Sequence, residues 1–263
     1  MQHLLRKQII LLVALLSIGL AALSQTDEVY RPYNDERPIY LGLNVGLING
    51  YMNFERGNAF LNPSPGDANW ISNYKKFNAF WNMGLSANLR LSNHFLLRVN
   101  PNLLIGQKEF QFTTKPNTID TFRMKTNASI INLPIALKLE SDRYNFFKHP
   151  DFMRHYVFAG VKFDYDLSAG KTPDIIKISK ALTSYPNPVS TANFLSSIDY
   201  GYEFGLGLSF YFQYATISPE IKFSYGQKDI QNKNTLLNSL DKVSSNFIYF
   251  TIHLEGESFF LKN

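Results

Sequence analysis

Charged side chains that could carry acid–base or ion-transport chemistry recur in otherwise alternating, aromatic-rich segments of this chain. The residues expected to act together are Arg90, Arg98, Lys138, Lys162, Asp164, Asp166, Glu203, Glu220 and Lys222. Asp164 and Asp166 lie two residues apart on one face of an extended segment, a spacing that suits acid–base catalysis or a bound cation. The structural alternative is that opposite charges pair in a narrow interior, neutralise one another and fill the space. Both interpretations fit the spacing. The predicted secondary structure around these residues is needed to distinguish them.

Histidine and cysteine usage argues against an enzyme. The chain has no Cys, which excludes disulfides, thiolate nucleophiles and thiolate metal sites. Hydrolytic sites commonly need a His as general base, yet His94, His149 and His155 all fall near predicted short turns, and His253 lies low in the last predicted strand. His149 and His155 have no third ligand in the sequence nearby for a metal ion. We therefore predict no catalytic residues, no metal site and no cofactor.

The segment that carries Arg90, "FNAFWNMGLSANLRLS", alternates between apolar odd positions and polar or Gly even positions, with Phe80 as the exception. Strict alternation predicts a β-strand with one apolar face, and the same pattern recurs along the chain. The eight predicted strands are Ile39–Leu47, Phe77–Ser92, Phe95–Ile105, Ile131–Leu139, Val157–Ala169, Tyr200–Phe212, Ala215–Tyr225 and Ile248–Leu254. Pro101 and Pro219 cannot donate to a strand ladder, so each predicts a local bulge or bend. All the charged candidates fall on the polar faces of these strands.

Two architectures produce such one-sided strands. In a transmembrane barrel the apolar face meets lipid and the polar face fills the lumen, whereas in a secreted barrel the apolar face lines a ligand cavity. Three features favour the transmembrane barrel: several strands are longer than globular strands, Gly sits on the polar faces, where a narrow lumen needs small side chains, and long connections alternate with short ones. We therefore predict an all-β fold, an eight-stranded antiparallel up-and-down transmembrane β-barrel. Its interior is too narrow for a pore, which favours the structural role of the charges.

The first 24 residues combine a basic start with an apolar run and small residues before Gln25, which is typical of a bacterial secretory signal peptide. An uncleaved anchor is the alternative, although the run is short for a membrane span. We predict a signal peptide over 1–24, a periplasmic tail over 25–37, a barrel over 38–256 and a C-terminal tail over 257–263. The predicted location is the outer membrane, with lipid as a partner. The net charge of +5 without a basic cluster argues against nucleic-acid binding.

The connection "SDRYNFFKHPDFMRH", residues 141–155, is the longest predicted link at the short-turn end. Aromatic side chains there suit an interfacial loop that dips into lipid headgroups. The alternative is a periplasmic docking surface, for which the candidate residues are Arg143, Tyr144, Phe146 and Phe147.

The segments "INLPIALKLESDR" (residues 131–143) and "ISPEIKFSYG" (residues 217–226) resemble PorT-type outer-membrane proteins of Bacteroidetes, and the resemblance covers nearly the whole mature chain. It implies an OmpA/OmpX-like barrel and a non-enzymatic, structural or assembly role in type IX secretion, which exports proteases and gliding adhesins. The implied partners are other secretion-system proteins of the outer membrane or periplasm. The alternative function is that of a stand-alone barrel for envelope stability, surface adhesion or ligand binding through its long loops.

Overall fold

The computed structural model of the protein describes residues 35, 37–57, 70–72, 78–114, 121–146, 149–171, 174–177, 195–232 and 240–256. Its strands are β1 (Ile39–Arg56), β2 (Trp70–Ser72), β3 (Asn78–Arg90), β4 (Phe95–Val99), β5 (Asn102–Thr114), β6 (Thr121–Glu140), β7 (Tyr144–Phe146), β8 (His149–Asp166), β9 (Asp174–Lys177), β10 (Ile198–Tyr211), β11 (Ala215–Gly226) and β12 (Leu240–Gly256). The signal peptide and the C-terminal tail lie outside the described residues and stay predictions. Among the described residues, no helix has the length and apolar character needed to cross a bilayer.

The strands form one antiparallel sheet that closes on itself. Around the wall, β1 pairs with β3, β3 with β4 and β5, and these two with β6. The wall continues from β6 through β8, β10 and β11 to β12, which pairs with β1. Because β4 and β5 follow one another along a single line, the wall has eight strands, and the predicted fold class is confirmed. Closure pairs the backbone groups of the wall with one another, as hydrocarbon requires.

The outer face of the barrel is apolar and the inner face is polar. Leu43, Trp81 and Leu85 point outward and are 58%, 60% and 58% exposed. Ser86 and Asn132, on the opposite face, are 1% and 0% exposed. This distribution is the reverse of that in a water-soluble protein, where apolar side chains are the buried ones. The predicted assignment of odd and even positions to the two faces is therefore confirmed.

Prolines interrupt the hydrogen-bond ladder without inserting a residue. One predicted strand is divided at Asn100 and Pro101 into β4 and β5, but its register with β3 and β6 is the same on both sides. Pro219 lies inside β11, whose register with β12 runs through it unbroken. Each proline was predicted to cause a bulge or a bend. The bulge alternative is wrong at both, because the neighbouring pairs keep the same register on either side of the missing N–H.

The two ends of the barrel differ. At one end β5 and β6 continue past the wall, and the short strands β2 and β9 pair with them. Both short strands lie between the predicted strands. Each has only three or four residues and pairs with an available edge of β5 or β6, so no alternation marks it in the sequence. At the other end the turns Leu91–His94 and Phe212–Tyr214 are short. The link predicted over 141–155 is a hairpin in which β7 pairs with the start of β8.

Candidate functional site: the packed lumen and its short-turn mouth

The middle of the lumen is built around Glu220 on β11. Arg98 on β4 binds both carboxylate oxygens of Glu220, at 2.5 and 3.2 Å. Tyr156 on β8 donates its hydroxyl to the same carboxylate at 3.0 Å, and the Nε2 atom of His253 lies 3.6 Å from it. The Arg98 guanidinium also stacks over the ring of Phe158, 4.0 Å from the centroid. This cluster therefore joins side chains from β4, β8, β11 and β12 across the lumen.

Above this cluster, toward the long-loop end, each carboxylate faces a cation. The Lys162 ammonium lies 2.7 Å from Asp164 and 3.8 Å from Asp199. Lys108 binds Asp166 at 2.6 Å. The acid–base pair suggested by the spacing of Asp164 and Asp166 is thus divided between two lysines. Carboxylates held in this way are neutralised rather than presented to a substrate.

Two further contacts complete the upper part of the lumen. Lys222 lies 3.0 Å from Glu203. Ser245 donates its hydroxyl to Asp199 at 2.6 Å. Seven of the nine candidates named from the sequence therefore lie inside the barrel among paired charges: Arg98, Lys162, Asp164, Asp166, Glu203, Glu220 and Lys222. The other two, Arg90 and Lys138, lie at the short-turn mouth. Their assignment as a structural network stays a proposal, since pairing by itself does not exclude another role.

A buried apolar cluster lies in the same half of the lumen. Its buried members are Ile48, Phe80, Leu104, Ala128, Ile130, Phe247 and Tyr249. Phe80 and Phe247 meet edge to face, with ring centroids 5.8 Å apart. A Cβ added at Gly106 would lie only 2.4 Å from the ring of Phe80, so a glycine is required for that ring to cross the lumen. The sequence signal for this cluster is the exceptional Phe80 in the alternating segment.

The short-turn mouth is a second charged cluster. Glu140 at the end of β6 lies 2.7 Å from both Lys138 and Arg154. Arg154 also binds Asp35, with its Nη2 atom 3.0 Å from a carboxylate oxygen. Asp35 lies before β1 in the chain, so a residue of the N-terminal segment is joined to the mouth of the barrel.

The residues predicted to form a docking surface differ in their exposure at this end. The Arg143 side chain is only 6% exposed, because it turns toward Asp35 and stacks over the Tyr211 ring at 3.7 Å. Tyr144 is exposed, and its ring lies 5.8 Å from that of His155. Phe146 packs against Phe152, with ring centroids 6.3 Å apart. Phe147 lies outside the described residues.

Sequence reasoning missed Asp35, Lys108 and Arg154. The signal for Lys108 and Arg154 was available, because both have the even-numbered parity of the buried face in their strands. They were missed because the predicted strands ended at Ile105 and began at Val157, whereas β5 and β8 extend further. Asp35 lies outside every strand, so no periodicity marks it.

A closed antiparallel wall, an outward-facing apolar surface and a polar lumen with buried, paired charges define a transmembrane β-barrel. A family model described as "Outer membrane protein beta-barrel domain" matches residues 24–232. The chain belongs to this family and is an outer-membrane protein whose outer face contacts membrane lipid. Because bacterial barrels of this kind have short periplasmic turns, we predict that the short-turn end faces the periplasm.

Solved structures with a similar fold include other outer-membrane barrels. Neisserial surface protein A is 10% identical, with 83% of this chain and 97% of that one covered and a TM-score of 0.41. The outer membrane protein OprG of Pseudomonas aeruginosa is 12% identical, with 83% and 93% covered and a TM-score of 0.38. The outer membrane protease OmpT of Escherichia coli is 7% identical, with 83% and 96% covered and a TM-score of 0.37. No curated protein matches this chain in sequence.

Proposed function

We propose that this protein is a non-enzymatic component of the outer membrane that supports type IX protein secretion and acts through the surfaces at its two ends. The observation that carries the proposal is the packed lumen. Arg98 and Glu220 fill its centre as a paired, fully buried cluster, and Phe80 and its apolar neighbours fill the half above. Side chains fill the inside of such a barrel, so no channel is left through it. Contacts with other proteins would then be made at its two ends.

The assignment to type IX secretion rests on the resemblance of two segments to PorT-type proteins. The segment over 131–143 contains the end of β6 and Arg143, and thus contributes to the periplasmic mouth. The segment over 217–226 contains Glu220 and most of β11. Both segments therefore contribute to the charged interior that supports a structural role.

The periplasmic hairpin is the proposed docking surface for a secretion-system partner. Tyr144 at its edge is exposed, and Phe146 is half-buried against Phe152. Arg143 would contribute indirectly, because its contacts with Asp35 and Tyr211 hold the start of the hairpin against the barrel mouth.

A second candidate function is that of a stand-alone barrel for envelope stability, surface adhesion or ligand binding. The observation in its favour is the extension of β5 and β6 past the wall, with β2 and β9 paired to their edges. This four-stranded extension enlarges the surface at the long-loop end, where an outside ligand arrives first.

A clean in-frame deletion in the source bacterium separates the two functions. We expect proteins destined for type IX export to accumulate in the periplasm and to disappear from the culture medium, and we expect the wild-type gene supplied in trans to restore them. Quantitative mass spectrometry of the medium and the periplasm measures this. Deletion of another outer-membrane barrel of similar size controls for general envelope damage. Normal export with impaired adhesion or envelope integrity would contradict the secretion role and favour the second candidate.

A further inference from the structure

Three arginines converge on the carboxylate of Asp35 at the periplasmic mouth. Arg143 approaches with its Nε atom at 2.9 Å and its Nη2 atom at 3.1 Å. Arg154 places its two terminal nitrogens 3.2 and 3.0 Å from the two carboxylate oxygens, and Arg90 lies 3.7 Å away. We call these four residues the Asp35 clamp. The two hydrogen bonds from Arg154 have the paired geometry in which a guanidinium group recognises a carboxylate.

The arginines of the Asp35 clamp are held in place by the barrel itself. Arg90 donates to the Tyr40 hydroxyl at 2.6 Å, Arg143 stacks over Tyr211, and Arg154 binds Glu140. Their side chains are between 6% and 11% exposed, while that of Asp35 is 33% exposed. The three arginines that bind the carboxylate therefore belong to the barrel wall. Asp35 is the most exposed residue of the clamp, so its position can be reached from the periplasm.

Charge balance at the mouth calls for an anion in the position that Asp35 occupies. Lys138 adds a fourth positive charge to those of the three arginines, and the carboxylates in the wall nearby are Glu140 and Glu255. Each guanidinium offers five N–H donors, whereas a carboxylate offers about four acceptor sites. With Asp35 removed, the described residues of the mouth hold more cations than anions and more donors than acceptors, and the arginine side chains there are only 6% to 11% exposed.

We propose that the clamp arginines form a binding site for an acidic peptide segment of a periplasmic protein, and that Asp35 occupies this site in cis. Asp35 comes from the segment that precedes the barrel, so its departure leaves the wall intact and opens the site. A partner binds by inserting an Asp or Glu side chain between Arg143 and Arg154. This inference goes beyond the proposed function, because it holds for a secretion component and for a stand-alone barrel alike.

The site is tested with the full chain in detergent and a fluorescein-labelled peptide of its own sequence over 31–37, "RPYNDER", as the probe. We expect Asp35→Asn to bind the peptide at least about tenfold more tightly than the wild type, because a tethered Asp35 competes at an effective concentration of roughly millimolar. A peptide with Asn at the position of Asp35 should bind the same variant at least about tenfold more weakly. Fluorescence anisotropy measures the three affinities.

A matched control is Asp142→Asn, which removes an exposed carboxylate at the same end of the barrel. This control should leave the affinity for the peptide at the wild-type value. The shift in electrophoretic mobility on heating, which folded barrels show, establishes that every variant is folded. Equal binding to the wild type and to Asp35→Asn would overturn the proposal, and so would equal binding of the two peptides or no binding at all. Displacement of the peptide by free succinate at an equal carboxylate concentration would also overturn it, because the site would then bind small carboxylates. The result does not depend on secretion, so it can fail while the proposed function stands.

Discussion

Arg98→Met should lower the free energy of unfolding by about 3–5 kcal/mol, because it removes the guanidinium that binds both oxygens of the buried Glu220 carboxylate. The side chains of Arg98 and Glu220 are 3% and 2% exposed, so water cannot replace the lost guanidinium. Tyr156 and His253 lie 3.0 and 3.6 Å from the carboxylate, and neither supplies the paired contacts of the guanidinium. Denaturant unfolding in lipid vesicles, followed by tryptophan fluorescence, measures the change.

Two further variants distinguish a lost pair from general damage to the lumen. The double variant Arg98→Met with Glu220→Met should recover most of the lost stability, because apolar side chains of similar volume often replace a buried ion pair at little cost. Lys171→Met is the control, since Lys171 is an exposed lysine in the turn after β8. It should cost less than about 1 kcal/mol, as surface substitutions usually do. Equal costs for Arg98→Met and Lys171→Met would contradict the buried pairing at the centre of the barrel.

Leu85→Arg should destabilise the folded barrel by about 2–4 kcal/mol, the cost of an arginine near the bilayer midplane on the lipid face. Leu85 points outward and is 58% exposed. It lies six residues from Leu91 at the short turn, which for a tilted strand is a depth of roughly 15 Å within an apolar band of about 25 Å. Equilibrium unfolding in vesicles of defined thickness measures the cost.

The matched control for Leu85 is Leu91→Arg, which makes the same substitution on the same face at the periplasmic interface. Leu91 is 56% exposed, so the exposed fraction of its side chain is close to that of Leu85. The arginine at this depth should cost about 0–1 kcal/mol. If Leu91→Arg destabilised the barrel as much as Leu85→Arg, the cost of an arginine would not depend on depth. That result would contradict the assignment of the apolar face to the lipid bilayer.

The alternation within each predicted strand could be read from the sequence, and it gave the side of the wall on which the side chains of that strand lie. Leu85 was predicted to face lipid and Arg98 to face the lumen because an extended chain alternates its side chains regardless of tertiary contacts. The eight-stranded closure also followed, since alternation, even strand number and unequal loops together leave few other solutions.

Contacts across the lumen could not be predicted in the same way. Arg98 and Glu220 are 122 residues apart in sequence, and their meeting depends on strand stagger and tilt, which alternation does not encode. The contact between Asp35 and Arg154 depends in addition on a segment outside the strands, where periodicity carries no signal. The strands β2 and β9 were missed for a related reason, because they add to existing edges without a strong pattern of their own.

Ion conductance of the full chain in planar lipid bilayers tests the central claim most directly, because the proposed function follows from a lumen that is packed rather than open. Successful insertion is established beforehand by heat-modifiable mobility of the reconstituted protein, and a large general porin serves as the positive control for the bilayer. The packed cluster around Arg98 and Glu220 predicts no steady channel above the bare bilayer at any applied voltage that the membrane withstands. A stable, ohmic conductance that scales with salt concentration would contradict it, because the protein would then act through a pore.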